Sequence, residues 1–151
     1  MMKVEKDYEE FLGLFNRHSV RYCIIGAFAV AFYAKPRYTK DIDILIEPTK
    51  INAQRVLKAL EEFGFEKLNI SLQDLTTEGN ILQLGYEPLR IDLLTALEGF
   101  HFRDIWKNKV SGEYGSEGVV FIGLEDLIQN KKRAARPTDL VDIELLKKAR
   151  K

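Results

Sequence analysis

One cysteine and two histidines among 151 residues leave little with which to build several kinds of protein. Cys23, in Tyr22-Cys23-Ile24-Ile25, excludes a disulfide framework and a thiolate zinc site, and reads as a small buried hydrophobe. His18 and His101 have no partner at metal-ligand spacing. No apolar run approaches the roughly 18 residues of a membrane span. The opening Met1-Met2-Lys3-Val4-Glu5-Lys6-Asp7 lacks the apolar core and small-residue cleavage site of a signal peptide. A cytoplasmic protein with no membrane partner is therefore expected. Net charge is also missing: 23 Lys and Arg balance 23 Asp and Glu, which argues against a dedicated duplex-DNA binder. The charge is nevertheless segregated, since residues 130–151 hold eight basic side chains against three acids. That basic end suits either phosphate contact or a solvated helix terminus. For Lys147, Lys148, Arg150 and Lys151 the second reading is preferred, because cations favour a helix C-terminus.

What is present suits one domain spanning residues 1–151, a length that buries roughly 68–70 per cent of the unfolded surface. Tyr8, Phe11, Leu12 and Phe15 recur at helical spacing within residues 5–17. Tyr22 to Ile25 is β-rich and breaks at Gly26, and Ala27 to Ala34 resumes as an apolar helix. A polar loop, 35–40, leads to a strand from Asp41 to Ile46. Lys50 to Phe63 follows as a helix with Gly64 as its stop. Phe65 to Leu68 is a candidate edge strand, and Leu72 and Leu75 lie in a polar stretch without assignment. Asn80 to Leu84 and Leu89 to Leu94 read as strands joined by a turn at Gly85-Tyr86-Glu87-Pro88. A short helix over Phe100 to Lys107 and a hairpin, Val110–Tyr114 with Val119–Ile122 around residues 115–118, come next. Two helices close the chain, Leu124 to Ala135 and Asp139 to about Ala149, the second with Thr138 as N-cap.

The chemistry concentrates in Asp41-Ile42-Asp43-Ile44-Leu45-Ile46. Alternate residues of a strand share a face, so Asp41 and Asp43 point one way while Ile42, Ile44 and Ile46 enter the core on the other. Two carboxylates so close repel unless a cation intervenes. One reading has one Asp capping the strand and the other pairing with Arg37 or Lys40. The other has both holding a hard divalent ion through oxygen, as Mg²⁺ is held by carboxylates and substrate phosphates. Asp92, in Leu89-Arg90-Ile91-Asp92-Leu93-Leu94, repeats the oddity of an acid in an aliphatic strand. If the two strands are neighbours, the three carboxylates converge and can hold the metal ions that serve phosphoryl and nucleotidyl transfer.

Gly26 precedes a helix, where a glycine lets phosphate oxygens approach and the helix N-terminus offers N–H groups. Arg37 and Thr39 alternate with Asp41 and can face the same cleft. Arg90 shares a face with Asp92 and reads as its ion-pair partner. Lys131, Lys132 and Arg133 suit a solvated helix face, and Asp139 and Asp142 suit a helix start, with Arg136 pairing to one of them.

Gly26-Ala27, thirteen residues, then Asp41-Ile42-Asp43, with Asp92 on a later strand, resembles the signature of the DNA polymerase β-type nucleotidyltransferase superfamily. Arg37-x-Thr39-x-Asp41-Ile42-Asp43 and Lys131-x-x-x-x-Arg136-x-x-Asp139-x-x-Asp142 resemble its small branch related to AbiEii toxins. The resemblance implies an α/β (α+β) fold, a mixed β-sheet flanked by helices with C-terminal helices. It implies Asp41, Asp43 and Asp92 as catalytic metal ligands for Mg²⁺ or Mn²⁺, and Gly26, Ala27, Arg37, Thr39 and Lys131 at the nucleotide. Ala27 departs from the usual second Gly or Ser, and Thr138 stands where many relatives carry Lys.

The expected activity is metal-dependent transfer of a nucleoside monophosphate from an NTP to a hydroxyl, with release of pyrophosphate. RNA 3′ ends, protein hydroxyls and small molecules are the acceptor classes, and a homodimer or a cognate antitoxin is a candidate partner. The alternative, kept open by Ala27, is a nucleotide-binding module of a toxin–antitoxin or regulatory system whose catalysis is weak or lost. A nucleotide-sugar glycosyltransferase using Asp41 and Asp43 leaves Asp92 and Gly26 without a role.

Overall fold

The structure, a computed structural model, describes residues 4–34, 40–65, 69–86 and 89–150, with the backbone alone for Tyr86 and Leu89. Its frame is a six-stranded mixed sheet. In chain order the strands are β1 (Tyr22–Ile25), β2 (Asp41–Ile46), β3 (Ile81–Tyr86), β4 (Leu89–Leu94), β5 (Val110–Tyr114) and β6 (Glu117–Phe121). They lie in the order β3-β4-β2-β1-β6-β5. β1 runs antiparallel to β2, β2 parallel to β4 and β1 parallel to β6, while β3–β4 and β5–β6 are antiparallel. The helices are α1 (Lys6–Arg17), α2 (Gly26–Tyr33), α3 (Lys50–Phe63), α4 (Leu72–Thr76), α5 (Phe102–Lys107), α6 (Leu124–Ala134) and α7 (Pro137–Ala149).

The alternation in β2 decides which face is core. Ile42, Ile44 and Ile46 are buried, and the register places Ile24 opposite Ile44 and Tyr22 opposite Ile46 on the same face. Each such aliphatic side chain contributes about 1.5–3 kcal/mol on leaving water. The stripe of α1 covers this face: Phe15 meets Tyr22 at 5.7 Å between ring centroids, and Phe11 meets Phe63 of α3 at 5.3 Å. α3 begins at Thr49, whose hydroxyl accepts from the Asn52 N–H, and ends at Gly64 in the left-handed region at φ +105°. Buried Asn52 bonds the backbone of Arg21 and Glu47, so its amide joins the ends of β1 and β2 furthest from the Asp pair.

Several boundaries differ from the sequence reading. β3 continues through Gly85 and Tyr86, which pair with Arg90 and Leu89, so half of the expected turn is ladder, and residues 87–88 lie outside the described residues. Cross-strand hydrogen bonds outweigh the turn-like composition there. β6 begins at Glu117 because the hairpin turn needs only Gly115 and Ser116, Gly115 taking φ +61°. α4 was not expected. Its signal is Ser71-Leu72-Gln73-Asp74, in which the Ser71 hydroxyl accepts from the Asp74 N–H and the Asp74 carboxylate from the Ser71 N–H. α7 starts at Pro137 with Arg136, not Thr138, as N-cap, since proline has no N–H to satisfy in a first turn. In the candidate strand at 65–68, Phe65 is not in a strand and residues 66–68 lie outside the described residues.

Candidate active site

The topology makes the strands that carry the three acids neighbours. β2 and β4 pair in parallel with Asp43 opposite Asp92 and Asp41 opposite Arg90, so all four side chains emerge on the face away from the α1 layer. Opposite Asp43 on its other side is Ile25, the last residue of β1, and the next residue is Gly26. Gly26 opens α2 at φ +69°, and a β-carbon there would stand 2.6 Å from Asp43 Oδ2. The glycine is thus required twice, for its dihedral and for the carboxylate lying against it. Gly26 and Ala27 are half-buried and start a helix whose middle, Phe28 to Ala31, is buried, so their backbone forms the rim of the carboxylate cluster.

Arg90 neutralises part of this cluster. Its Nη2 lies 3.1 Å from Asp41 Oδ2 and 3.3 Å from Asp92 Oδ2, so one nitrogen serves two acids. The ion pair expected between Arg90 and Asp92 is present, and it includes Asp41. Asp43 makes no salt bridge to Arg90 among the described contacts. Burial, then the charges of Asp92 and Asp41, push its carboxyl up to about 6, against the lowering influence of Arg90. Asp92 Oδ1 is buried and accepts no hydrogen bond among the described residues.

Tyr8, a member of the helical stripe of α1, also fixes the backbone here. Its hydroxyl donates to the Lys40 carbonyl and lies 3.0 Å from both the N and O of Arg90, tying the start of β2 to β4 beneath the acids. Nothing in a helical stripe of aromatics distinguishes such a tyrosine beforehand.

The third component comes from α6 and α7. Lys131 is buried, with its Nζ 3.2 Å from Asp139 Oδ1 and 3.2 Å from Asp142 Oδ2. Arg136 reaches the same acid from outside, Nε to Asp139 Oδ2 at 2.7 Å and Nη2 to Oδ1 at 3.2 Å. These contacts hold Asp139 down to about 2, Arg136 first among them. Lys131 is therefore neither on a solvated face nor open to solvent; its ammonium joins α6 to α7. Lys132 and Arg133 are exposed, as expected. Arg136 is the exposed cation of the cluster and feels the charge of Asp43. Arg37 and Thr39 lie outside the described residues.

The donor set suits a hard cation. Asp41, Asp43 and Asp92 supply only oxygen, one of those oxygens is buried with no hydrogen bond among the described residues, and burial and then like charge hold the Asp43 carboxyl high. Among the described residues no three carboxylate, imidazole or thiol groups already converge as a metal cage. Asp41 and Asp92 are drawn to Arg90 instead.

A mixed sheet with two acids on one strand, a third on its parallel neighbour and a glycine-started helix against them is the arrangement of a nucleotidyltransferase. The chain belongs to the family described as nucleotidyl transferase of unknown function (DUF2204), whose model matches residues 4–151. Solved structures share the fold. The lincosamide antibiotic adenylyltransferase LnuA, crystallised with lincomycin bound, has a TM-score of 0.63 at 20% identity, covering 97% of this chain and 98% of that one. A putative nucleotidyltransferase from Thermotoga maritima, TM1012, has a TM-score of 0.63 at 17% identity, covering 95% and 94%. No curated protein matches the sequence. No helix among the described residues is long and apolar enough to cross a membrane.

Proposed function

We propose that the protein transfers a nucleoside monophosphate from an NTP to the hydroxyl of a small-molecule acceptor, releasing pyrophosphate, and that it does so with Mg²⁺ or Mn²⁺ held by Asp41, Asp43 and Asp92. The observation that carries this reading is the register of Asp43 against Asp92 with Gly26 backed onto Asp43. Bound there, the metal supplies neutralisation of the phosphates and a lowered pKa for the attacking hydroxyl. The rim of Gly26 and Ala27 directs backbone N–H groups at phosphate oxygens. Arg136, exposed and oriented by Asp139, is the cation nearest in character to a phosphate ligand, and buried Lys131 holds its platform.

The sheet beyond Asp92 supports a small-molecule acceptor. Two residues along β4, about 7 Å, Leu94 pairs with exposed Ile81 on the same open face. A cavity of about 540 Å³ there is lined by Ile81, Leu94, Leu97 and Phe100 together with Glu78 and Glu98. Its volume suits a drug-sized molecule. Asp92, the acid on the strand that lines this cavity, would orient the acceptor hydroxyl and take its proton. LnuA, a lincosamide adenylyltransferase that binds lincomycin, supports a small-molecule acceptor by analogy of fold.

A second reading is a nucleotide-binding module of a toxin–antitoxin or regulatory system, related to the AbiEii toxins by its motifs. Ala27 favours it, because that position offers no hydroxyl to phosphate. A cytoplasmic location and a homodimer or antitoxin partner accord with either reading.

The test is thermal unfolding with ATP, GTP, CTP and UTP, each with and without Mg²⁺ or Mn²⁺, on the wild type and Asp43→Asn. A metal-dependent gain of about 2.7 kcal/mol at 100 times Kd is expected for at least one NTP and not for the variant. Absence of any shift counts against both readings. A shift for one NTP, followed by label transfer from its α-phosphate to RNA or protein instead of a small hydroxyl compound, overturns the acceptor class.

A further inference from the structure

Arg90 is an unusual neighbour for carboxylates that are to hold a metal. It faces Asp41 across the β2–β4 pair and stands two residues before Asp92, so the sheet delivers its guanidinium into the middle of the acids. The bond it makes is incomplete. A guanidinium and a carboxylate at their best form two parallel N–H···O bonds. Here Nη2 lies between Asp41 Oδ2 and Asp92 Oδ2, while Arg90 Nε and Asp92 Oδ1 are both buried and make no hydrogen bond among the described residues. The side chain can leave without disturbing the strand, because the Arg90 backbone is held independently by the Tyr8 hydroxyl.

We propose that Arg90 is an internal counter-cation, which pairs Asp41 with Asp92 in the nucleotide-free protein, excludes a divalent cation on its own, and yields when cation and nucleotide arrive together. This rests on the reading of the site as a nucleotidyltransferase centre. A divalent ion alone takes the two anchors of Arg90 and puts two positive charges beside a guanidinium left partly buried and unpaired, a placement with a large electrostatic cost. Triphosphate oxygens remove that cost, because a planar guanidinium binds phosphate as readily as carboxylate. The consequence is synergy: the cation binds weakly without nucleotide and strongly with it, and the acids are not loaded idly.

Mn²⁺ binding, followed by the loss of the free-ion paramagnetic resonance signal, tests this on the metal-free full chain. Arg90→Met should bind Mn²⁺ alone about tenfold more tightly than the wild type, with Arg90→Lys intermediate. Asp92→Asn in the Arg90→Met background should abolish the gain, which places it at these acids. Thermal unfolding and near-ultraviolet dichroism verify that each variant is folded, and Arg90→Gln replaces Arg90→Met if that variant is not. Equal or weaker Mn²⁺ binding by the folded neutral variant overturns the proposal. The comparison needs no nucleotide and no turnover. A wild type that ignores every NTP therefore refutes the enzyme reading separately, whereas nucleotide binding with unchanged Mn²⁺ affinity in the variant refutes only the role of Arg90.

Discussion

Asp43 Oδ2 occupies the space in which a β-carbon on Gly26 would lie, 2.6 Å from the position such an atom would take. The two residues belong to different elements, the start of α2 and the middle of β2, and neither is free to change without the other. Gly26→Ala adds both the collision and the strain of an L side chain at φ +69°. It should lower stability by about 1–3 kcal/mol and turn the Asp43 carboxylate. Thermal unfolding reads the first effect. The second appears as loss of the metal-dependent NTP shift, and Gly26→Ala with an undiminished shift would contradict the interlock.

Burial, and then the charges of Asp92 and Asp41, make Asp43 a pH-dependent liability. Its carboxyl titrates at about 6 in the folded chain against an ordinary 3.8, so the folded protein binds the extra proton. Stability associated with Asp43 is fully present below pH 3.8 and is lost as pH rises through 6. Asp43→Asn removes that loss. In metal-free buffer the variant should gain on the wild type between pH 4 and 6, reaching about 1–2 kcal/mol at pH 7, as paired denaturant titrations will read. A constant difference across that range would show that Asp43 titrates normally.

Asp139 has the opposite sign. Held down to about 2 by Arg136 and Lys131, it stabilises the folded chain above its ordinary 3.8, and that contribution disappears as pH falls through 2. Asp139→Asn leaves Lys131 buried with only Asp142 and releases Arg136. The expected cost is about 2–4 kcal/mol at pH 7, with a flatter acid limb than the wild type. Lys131→Met, which leaves two buried carboxylates facing each other, should cost at least as much. If it proves neutral, the cluster does not hold α6 to α7.

Ala27 tests the chain's departure from its superfamily. Its backbone is at the rim where phosphate is proposed to lie, but its methyl group makes no polar contact. Ala27→Ser supplies a hydroxyl at a half-buried helix start and should tighten NTP binding about threefold to tenfold, the worth of one hydrogen bond. Isothermal titration of the NTP that shifts the wild type will measure it. Unchanged affinity would place the phosphates away from residue 27.

Much of this fold was legible in one dimension because its signals are local. The period-two alternation of Asp41 to Ile46, the helical stripe of Tyr8 to Phe15, and Thr49 and Gly64 bracketing α3 each depend on neighbours within a few residues. The boundaries at Gly85, Glu117 and Pro137 differ in where an element begins or ends, not in the type of element, through strand pairing at Gly85 and through turn and first-turn chemistry at Glu117 and Pro137. The α4 helix was missed although its Ser71–Asp74 box was written out, because a single turn has too little periodicity to stand above its polar surroundings.

By itself the sequence determined that three acids would interrupt aliphatic strands and that a glycine would precede the buried helix, since those are matters of residue type and spacing. Only the tertiary structure decided that they meet. The pairing of β2 with β4 joins residues some fifty positions apart, and it alone sets Asp43 against Asp92 and brings Arg90 between Asp41 and Asp92. It likewise decided that Lys131 is bound by Asp139 and Asp142, a choice between solvent and burial that depends on how α6 and α7 cross. The physical reason is common to both. Charge–charge interactions vary with distance and burial, which adjacency in the chain does not specify.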